Sequence, residues 1–333
     1  MNIILVEPSV LPPATYGGTQ RDVWYLGKEL AKLGHKITFM TSPLTKSDFA
    51  KVVPYDKTKP FIPQMPEGAD IVNFHHDMPE DARSLPNRVE TIHGNVNPGD
   101  ISRRVDDRTI FVSKNHALRH GSTSYVYNGM DWDDYGPVDI NYPRDYFHFL
   151  GNAAWRIKNI KGAINTVLAA PGEKFAVMGG TRLNFKMGFR FTLSPRVRFY
   201  GMVGGQKKNT LLQGSKGLIF PVRWNEPMGL AIIESLYFGC PVLGTPYGAL
   251  PELVPADVGL LSDKRAELTE AVKNINSFSR KRCHEYARDL FNSKQMALEY
   301  LKKFEIVLNG GSLNPNPPPI PPQPTEKFLP WYD

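Results

Sequence analysis

Cysteine is nearly missing from this chain: Cys240 and Cys283 are the only two in 333 residues. They supply no disulfide framework and no Cys-x-x-Cys pair for metal or redox work, as expected of a reducing compartment. Long apolar runs are missing as well, and none approaches the ~20 residues of a membrane span. The opening MNIILVEPSV is apolar too briefly, and lacks a basic leader, to read as a signal peptide. It reads instead as a first buried strand, and the expected location is cytoplasmic, with peripheral contact at the inner membrane face as a variant. The net charge of +7 points to anionic partners such as phosphorylated ligands, nucleic acid or an acidic membrane surface. That charge is spread along the chain and no nucleic-acid module accompanies it, so no nucleic-acid partner is expected.

What is present suits a soluble globular protein: 41% hydrophobic residues, mixed charge, and enough length for two domains with separate cores. In the first half IILV precedes TQRDVWYLGKELAKL, where Val23, Leu26, Leu30 and Leu33 mark one helix face, and Gly34 then leads to the strand KITFMT. That is a βαβ unit. ADIVNF, RVETI, RTIFVS and SYVYNG continue as strands, with SKNHALRHG as a short helix ending at Gly121. The second half repeats the rhythm from DYFHFLG through IKGAINTVLAA (helix), KFAVMGG and RVRFYG (strands), KKNTLLQG (helix), KGLIFPV and PVLGT (strands), with helices over 265–308. Such alternation predicts two doubly wound parallel sheets with ligands at the carboxyl ends of the strands. YGPVDINYP, 135–143, reads as the linker.

Within NEPMGLAIIESLYFGCPV, 225–242, Glu226 and Glu234 stand eight positions apart in an otherwise apolar segment. Glu226 precedes a proline and so falls outside the helix. The spacing predicts a helix from about Pro227 to Phe238, stopped at Gly239. Its first amides, near Met228, Gly229 and Leu230, would face an anion, and Gly229 blocks nothing. The plainer reading is a carboxylate favoured by the helix dipole plus a solvated glutamate.

Taken with FPVRWNEPMGLAIIESLYFGCPVLGTPYGALPELV, the blocks SKNHALRHG, VYNGMDWDDYGP and FLGNAAWRIKNIKG occur in an order that resembles the GT-B retaining glycosyltransferases of family 4. The resemblance covers the chain to about residue 308. It implies an α/β, GT-B fold, two Rossmann-like doubly wound domains facing a central cleft. The acceptor-side domain would span 1–140 and the donor-binding domain 141–290. A helix over 291–308 would pack back on the N-terminal domain, leaving 309–333 as a proline-rich, extended or disordered tail. The implied activity moves a sugar from a nucleoside-diphosphate sugar, UDP being the commonest base, to a hydroxyl of a glycan, lipid-linked sugar or small molecule. No cofactor and no metal are needed.

By the same resemblance Glu234 holds ribose hydroxyls, Glu226 contacts the transferred sugar, and the amides of Met228, Gly229 and Leu230 bind the diphosphate. Gly17 and Gly18 of YGGTQRD match the family's Gly-Gly loop near the donor phosphates; as residues they permit close backbone approach, and Thr19 with Asp22 has capping-box spacing. His93 stands where the family has a histidine near the reacting carbon. Lys158 matches the family's phosphate lysine, but the arginine position falls on Ala153 or Asn152, so Arg156 or Lys161 would have to replace it. Tyr200 and Gly201 fall where the base pocket forms. Two other readings stand beside transfer: a GT-B sugar-nucleotide 2-epimerase and a catalytically weak nucleotide-sugar-binding protein.

Three stretches remain. His75, His76 and Asp77 suggest a metal, but adjacent strand residues point to opposite faces, and they read as structural or acceptor-side. TRLNFKMGFRFTLSPRVRF, 181–199, mixes basic and aromatic residues, which suits a membrane surface or, better, a twisted hairpin with one solvated face. The terminal FLPWYD is apolar enough to dock, although an untethered end is the simpler expectation.

Overall fold

The computed structural model describes residues 1–14, 17–96, 105–321 and 327–333. Two compact units emerge, each with one six-stranded parallel sheet. The first unit takes residues 17–131 and 291–321 together with the strand near the N-terminus; the second takes 132–290 and 327–333. The boundary falls at Asp131 rather than at 140, because Trp132 stacks on Tyr237 at 4.0 Å and Tyr135 meets the same ring edge-on at 6.0 Å.

In the first unit the elements run β1 (Asn2–Val6), α1 (Gly18–Lys32), β2 (Lys36–Thr41), β3 (Lys51–Pro54), β4 (Ile71–Phe74), β5 (Arg88–Ile92), β6 (Thr109–Phe111) and α2 (Lys114–Arg119). The sheet order is β3-β2-β1-β4-β5-β6, every neighbour parallel. Interior strands are buried on both faces, as parallel sheets covered by helices require, although Asn73 of β4 and Glu90 and Thr91 of β5 are polar. Val23, Leu26 and Leu30 of α1 are fully buried on that sheet. Gly27 is needed there, since a Cβ would lie 2.4 Å from the Phe39 ring. β3 escapes the sequence reading because an edge strand of two valines carries little pattern, and SYVYNG contributes only a bridge from Tyr125 to Phe111.

The second unit runs β7 (Tyr146–Leu150), α3 (Ile160–Leu168), β8 (Lys174–Met178), the small hairpin β9 (Leu183–Asn184) and β10 (Arg190–Phe191), then β11 (Val197–Phe199), α4 (Gly205–Gln213), β12 (Ser215–Phe220), α5 (Leu230–Tyr237), β13 (Val242–Gly244), α6 (Leu250–Leu253), β14 (Gly259–Leu261), α7 (Arg265–Lys273) and α8 (Arg280–Leu290). Its main sheet is ordered β11-β8-β7-β12-β13-β14. Leaving out the hairpin, both sheets share one topology, in which strand order reverses between the first and fourth strands. That reversal is where open α/β sheets open a crevice beyond the carboxyl ends of their strands.

After α8 the chain returns to the first unit as α9 (Ser293–Leu308), which packs on α1. The proline-rich segment that follows is extended but anchored: the Asn314 side chain donates to the carbonyls of Asp107 and Thr109, and Ser122 bonds to it at 2.5 Å. The end of the chain docks on the second unit, where Leu329 and Arg223 exchange two hydrogen bonds and Tyr332 bridges to Lys264. Residues 322–326 of the expected tail lie outside the described residues.

Candidate functional site

α5 starts later than the spacing predicts, at Leu230 rather than Pro227. Gly229 holds the left-handed conformation, φ 87°, that turns the chain into the helix, and Ile232 N already donates back to its carbonyl at 2.9 Å. The unpaired amides at the helix end therefore belong to Leu230 and Ala231, one to two residues beyond the expected position. The stop is as expected: Gly239 has φ 71° and donates to Leu236 O, with Cys240 donating to Ser235 O. Ile232, Ile233 and Leu236 are fully buried, while Leu230 stays half-buried at the mouth.

Glu226 is buried on the loop between β12 and α5. Its backbone is clamped by the turn after β13: Ala249 N donates to Glu226 O at 2.8 Å, and a Cβ on Gly248 would lie 2.2 Å from Glu226 N. Lys158 reaches Glu226 Oε2 at 2.5 Å, and Trp224 Nε1 donates to the same oxygen at 2.8 Å. The ammonium also lies over the Trp224 and Phe220 rings, at 4.8 and 5.1 Å. Lys158 closes the 3₁₀ turn Arg156–Lys158, and Asn159 then takes a left-handed conformation, φ 50°, so that its side chain caps α3 on Gly162 N. Asparagine is among the few residues that tolerate this conformation. Lys158 and Glu226 thus meet across the carboxyl ends of β7 and β12, the neighbours at the reversal of strand order.

Glu234 is not a solvated face residue. Only 1% exposed, it accepts a hydrogen bond from the Tyr135 hydroxyl at 2.6 Å and an ion-paired hydrogen bond from Lys208. Lys208 lies over the Tyr135 ring at 4.7 Å. Next to Glu234 in the chain, Ser235 bonds to His148 Nε2, whose Nδ1 bonds to Ser215. Burial pushes the His148 imidazole down to about 3, with the Arg144 charge adding to the effect. Neither Lys208 nor Tyr135 figured among the sequence candidates. Lys208 sits in an ordinary amphipathic helix, and only the fold brings it to Glu234.

The remaining second-unit candidates stand apart from these pairs. Arg156 stacks on Phe328 at 5.1 Å, with Arg223 stacked on the same ring at 5.2 Å. Arg156 and Lys161 line a cavity of about 780 Å³ beside the β9–β10 hairpin, with Arg190 and Arg223. No hydrogen bond or ion pair joins Arg156 or Lys161 to either glutamate. Ala153 is buried, its amide bonded to Gly179 O, and Asn152 turns its side chain back to Ala154 N, so neither offers a cation. Tyr200 and Gly201 follow the edge strand β11; Tyr200 is stacked under Arg198, and Gly201 faces open space.

In the first unit Gly17 is the N-cap of α1, and a Cβ there would meet Gln20 Oε1 at 2.6 Å. Gly18 opens the helix, so Thr19 is inside it and caps nothing, which corrects the capping-box reading. Tyr16 of that loop lies outside the described residues. Asp22, entirely buried, faces His93 instead, with Oδ2 3.8 Å from Nδ1. His93 Nε2 lies 2.9 Å from His75 Nδ1. Burial holds the Asp22 carboxyl well above its ordinary range and His75 well below its own, the latter aided by His93 and His76.

Residues 144–277 match the family model described as glycosyl transferases group 1. Among solved structures the chain is similar to AviGT4, a glycosyltransferase involved in avilamycin A biosynthesis, at 19% identity over 93% of this chain and 98% of that one, TM-score 0.74. It is similar to sucrose-phosphate synthase from Thermosynechococcus elongatus at 17% identity over 93% and 100%, TM-score 0.70. Anabaena HepE, solved in complex with UDP and glucose, aligns at 13% identity over 92% and 99%, TM-score 0.63. No curated protein sequence is a significant match. The matched segment is a glycosyltransferase domain, and the paired six-stranded sheets are the GT-B fold.

Proposed function

We propose that this enzyme, a glycosyltransferase domain within a GT-B fold, transfers a sugar with retention from a nucleoside-diphosphate sugar, UDP being preferred, to a hydroxyl acceptor. The observation that carries the reading is the Lys158–Glu226 pair at the reversal point of the second sheet, directly ahead of the α5 N-terminus. A pyrophosphate placed against Leu230 and Ala231 meets free amides and a helix dipole, and Lys158 exchanges its carboxylate partner for phosphate oxygens. Glu226, relieved of the ammonium, accepts hydroxyls of the transferred sugar, and Glu234 those of the ribose. The amides of Met228 and Gly229 complete the approach to the diphosphate.

As the C1–O bond to phosphate breaks, its electron pair passes to the leaving oxygen, where fixed donors and Lys158 stabilise the charge. The acceptor oxygen bonds to C1 on the same face, and its proton goes to the departing phosphate. His93 and the Gly17–Gly18 loop are assigned to the acceptor and phosphate sides of the reaction. Arg156 or Lys161 supplies the second phosphate cation, Tyr200 and Gly201 border the base, and transfer itself needs no metal. The acceptor is a glycan, a lipid-linked sugar or a small molecule, the lipid-linked case placing the enzyme at a membrane surface. UDP is the nucleotide in the HepE complex. The domain match favours transfer over epimerisation.

The test is a thermal-shift panel of UDP, GDP and ADP sugars followed by release of the nucleotide. A donor at ~100 times its Kd stabilises by about 2.7 kcal/mol. Glu226→Ala should lower turnover by about 10²–10³-fold, the scale of losing one transition-state contact. Stabilisation by no nucleotide sugar, or turnover unchanged in Glu226→Ala, would sink the assignment.

A further inference from the structure

At the reversal point of the first sheet, between β1 and β4, sits a second polar cluster. His75 directly follows β4, His93 directly follows β5, and Asp22 reaches them from α1. One donor atom from each side chain lies within 4.8 Å of the other two. Both Asp22 oxygens and His75 Nε2 are buried without a close hydrogen-bond partner, the Gly129 backbone being the group that approaches the carboxyl. Among the described residues the one ion-pair partner of Asp22 is His93; no lysine or arginine reaches it. A buried carboxylate without a cation is costly.

We propose that Asp22, His75 and His93 bind one divalent transition-metal ion of the zinc type. Two imidazoles and a carboxylate suit zinc and its neighbours in the first transition row rather than magnesium or calcium. Two donors on one such ion, each at ~2.05 Å, sit about 2.9–3.4 Å apart. His75 Nδ1 and His93 Nε2 stand 2.9 Å apart, whereas the Asp22 oxygen stands 3.8 Å from the other nitrogen of His93, so closing the set on one ion takes a turn of the His93 ring together with a movement of the Asp22 side chain. Three protein ligands leave one position for water, and the partly exposed side of His93 gives the route in. On binding, lone pairs of one Asp22 oxygen and one nitrogen of each ring form the bonds. The proton shared between the rings moves to the ring nitrogen that does not bind the ion, and the proton held by Asp22 passes to solvent. The adjacent residues His76 and Asp77 are not part of the cluster. The ion fixes the His93 ring and is asked to do nothing in transfer, so this inference does not rest on the proposed donor chemistry.

The test uses the full chain, stripped with a chelator, dialysed against Zn²⁺ and then analysed for bound metal. Wild type should retain one equivalent, and Co²⁺ in its place should give visible d–d absorption. Asp22→Asn and His75→Gln should each weaken binding by more than about 100-fold while keeping the far-ultraviolet circular dichroism of wild type. If either variant fails to fold, X-ray absorption at the zinc edge of wild type decides, with two imidazole nitrogens and a carboxylate oxygen expected. Binding below one equivalent, binding unchanged in both variants, or a ligand set with sulfur or a single imidazole overturns the proposal. A shared proton is then all that joins the three residues. No sugar nucleotide enters the experiment, so its failure is separate from any failure of the transferase reading.

Discussion

The two sheets share one strand order, yet their reversal points carry opposite solutions to the same problem. In the second unit each buried carboxylate has its own ammonium: Glu226 with Lys158 and Glu234 with Lys208. In the first, a buried carboxylate faces two histidines and no fixed cation. Topology makes the crevice, but the side chains set its chemistry. A crevice that stores ammonium groups suits anionic phosphate, whereas one that stores a carboxylate and imidazoles awaits a cation.

The largest effect should come from removing one ammonium. Lys208→Met leaves Glu234 buried and charged, and breaking such a pair costs about 3–5 kcal/mol. Urea unfolding should show this loss, and adding Glu234→Gln should recover part of it, because the double variant buries no unpaired charge. Were the single variant as stable as wild type, Lys208 would be solvated in solution, and the contrast between the two units would fail at that point.

Much of this arrangement is readable in the sequence, for physical reasons that differ by residue. The sheets were legible because each strand is a short apolar run between turn formers, and the stop at Gly239 because glycine alone takes that conformation cheaply. Lys158 was legible through a local block of sequence. The start of α5 was not: Pro227 is a good first helical residue in isolation, but Gly229 absorbs the turn and Gly248 clamps Glu226 outside the helix. Lys208 and Asp22 were invisible as partners, since each reads as part of an ordinary helix and acquires its role only from strands and helices far away in sequence. The His75–Asp77 run shows the converse, because adjacency drew the eye while His75 found its partners on β5 and α1.

A middle-sized effect separates the units by pH. His148 has a folded value of about 3, below the ordinary 6.5 of an unfolded chain. The unfolded state therefore takes up the proton first, so this stability is complete above about pH 6.5 and falls as pH drops toward 3. The slope approaches about 1.4 kcal/mol per pH unit. In the metal-free first unit two shifts oppose: His75 is lowered and loses stability toward acid, while Asp22 is raised and gains it. Urea midpoints between pH 7 and 5 should therefore move for wild type and flatten in His148→Gln. An unchanged slope in that variant would mean that His148 is reached by water and that the second unit's interior is less closed than its serine contacts imply.

The smallest effect concerns the chain end, which ties down the second unit without touching either carboxylate pair. Phe328 is held between Arg156 and Arg223, and the backbone of Leu329 bonds to Arg223 in both directions. Each guanidinium–ring contact at a half-exposed site is worth about 0.5–1 kcal/mol, so Phe328→Ala should cost about 1–2 kcal/mol. The backbone bonds of Leu329 survive the substitution, and the segment should stay docked more loosely, which limited proteolysis after residue 327 will register as faster cleavage. Arg156 then loses its ring and becomes available to a phosphate. If Arg156 is the replacement for the missing arginine, the same variant should bind a nucleotide sugar more tightly than wild type, despite being less stable. Equal affinity in the two proteins would leave Lys158 as the phosphate cation and place Arg156 with the tail.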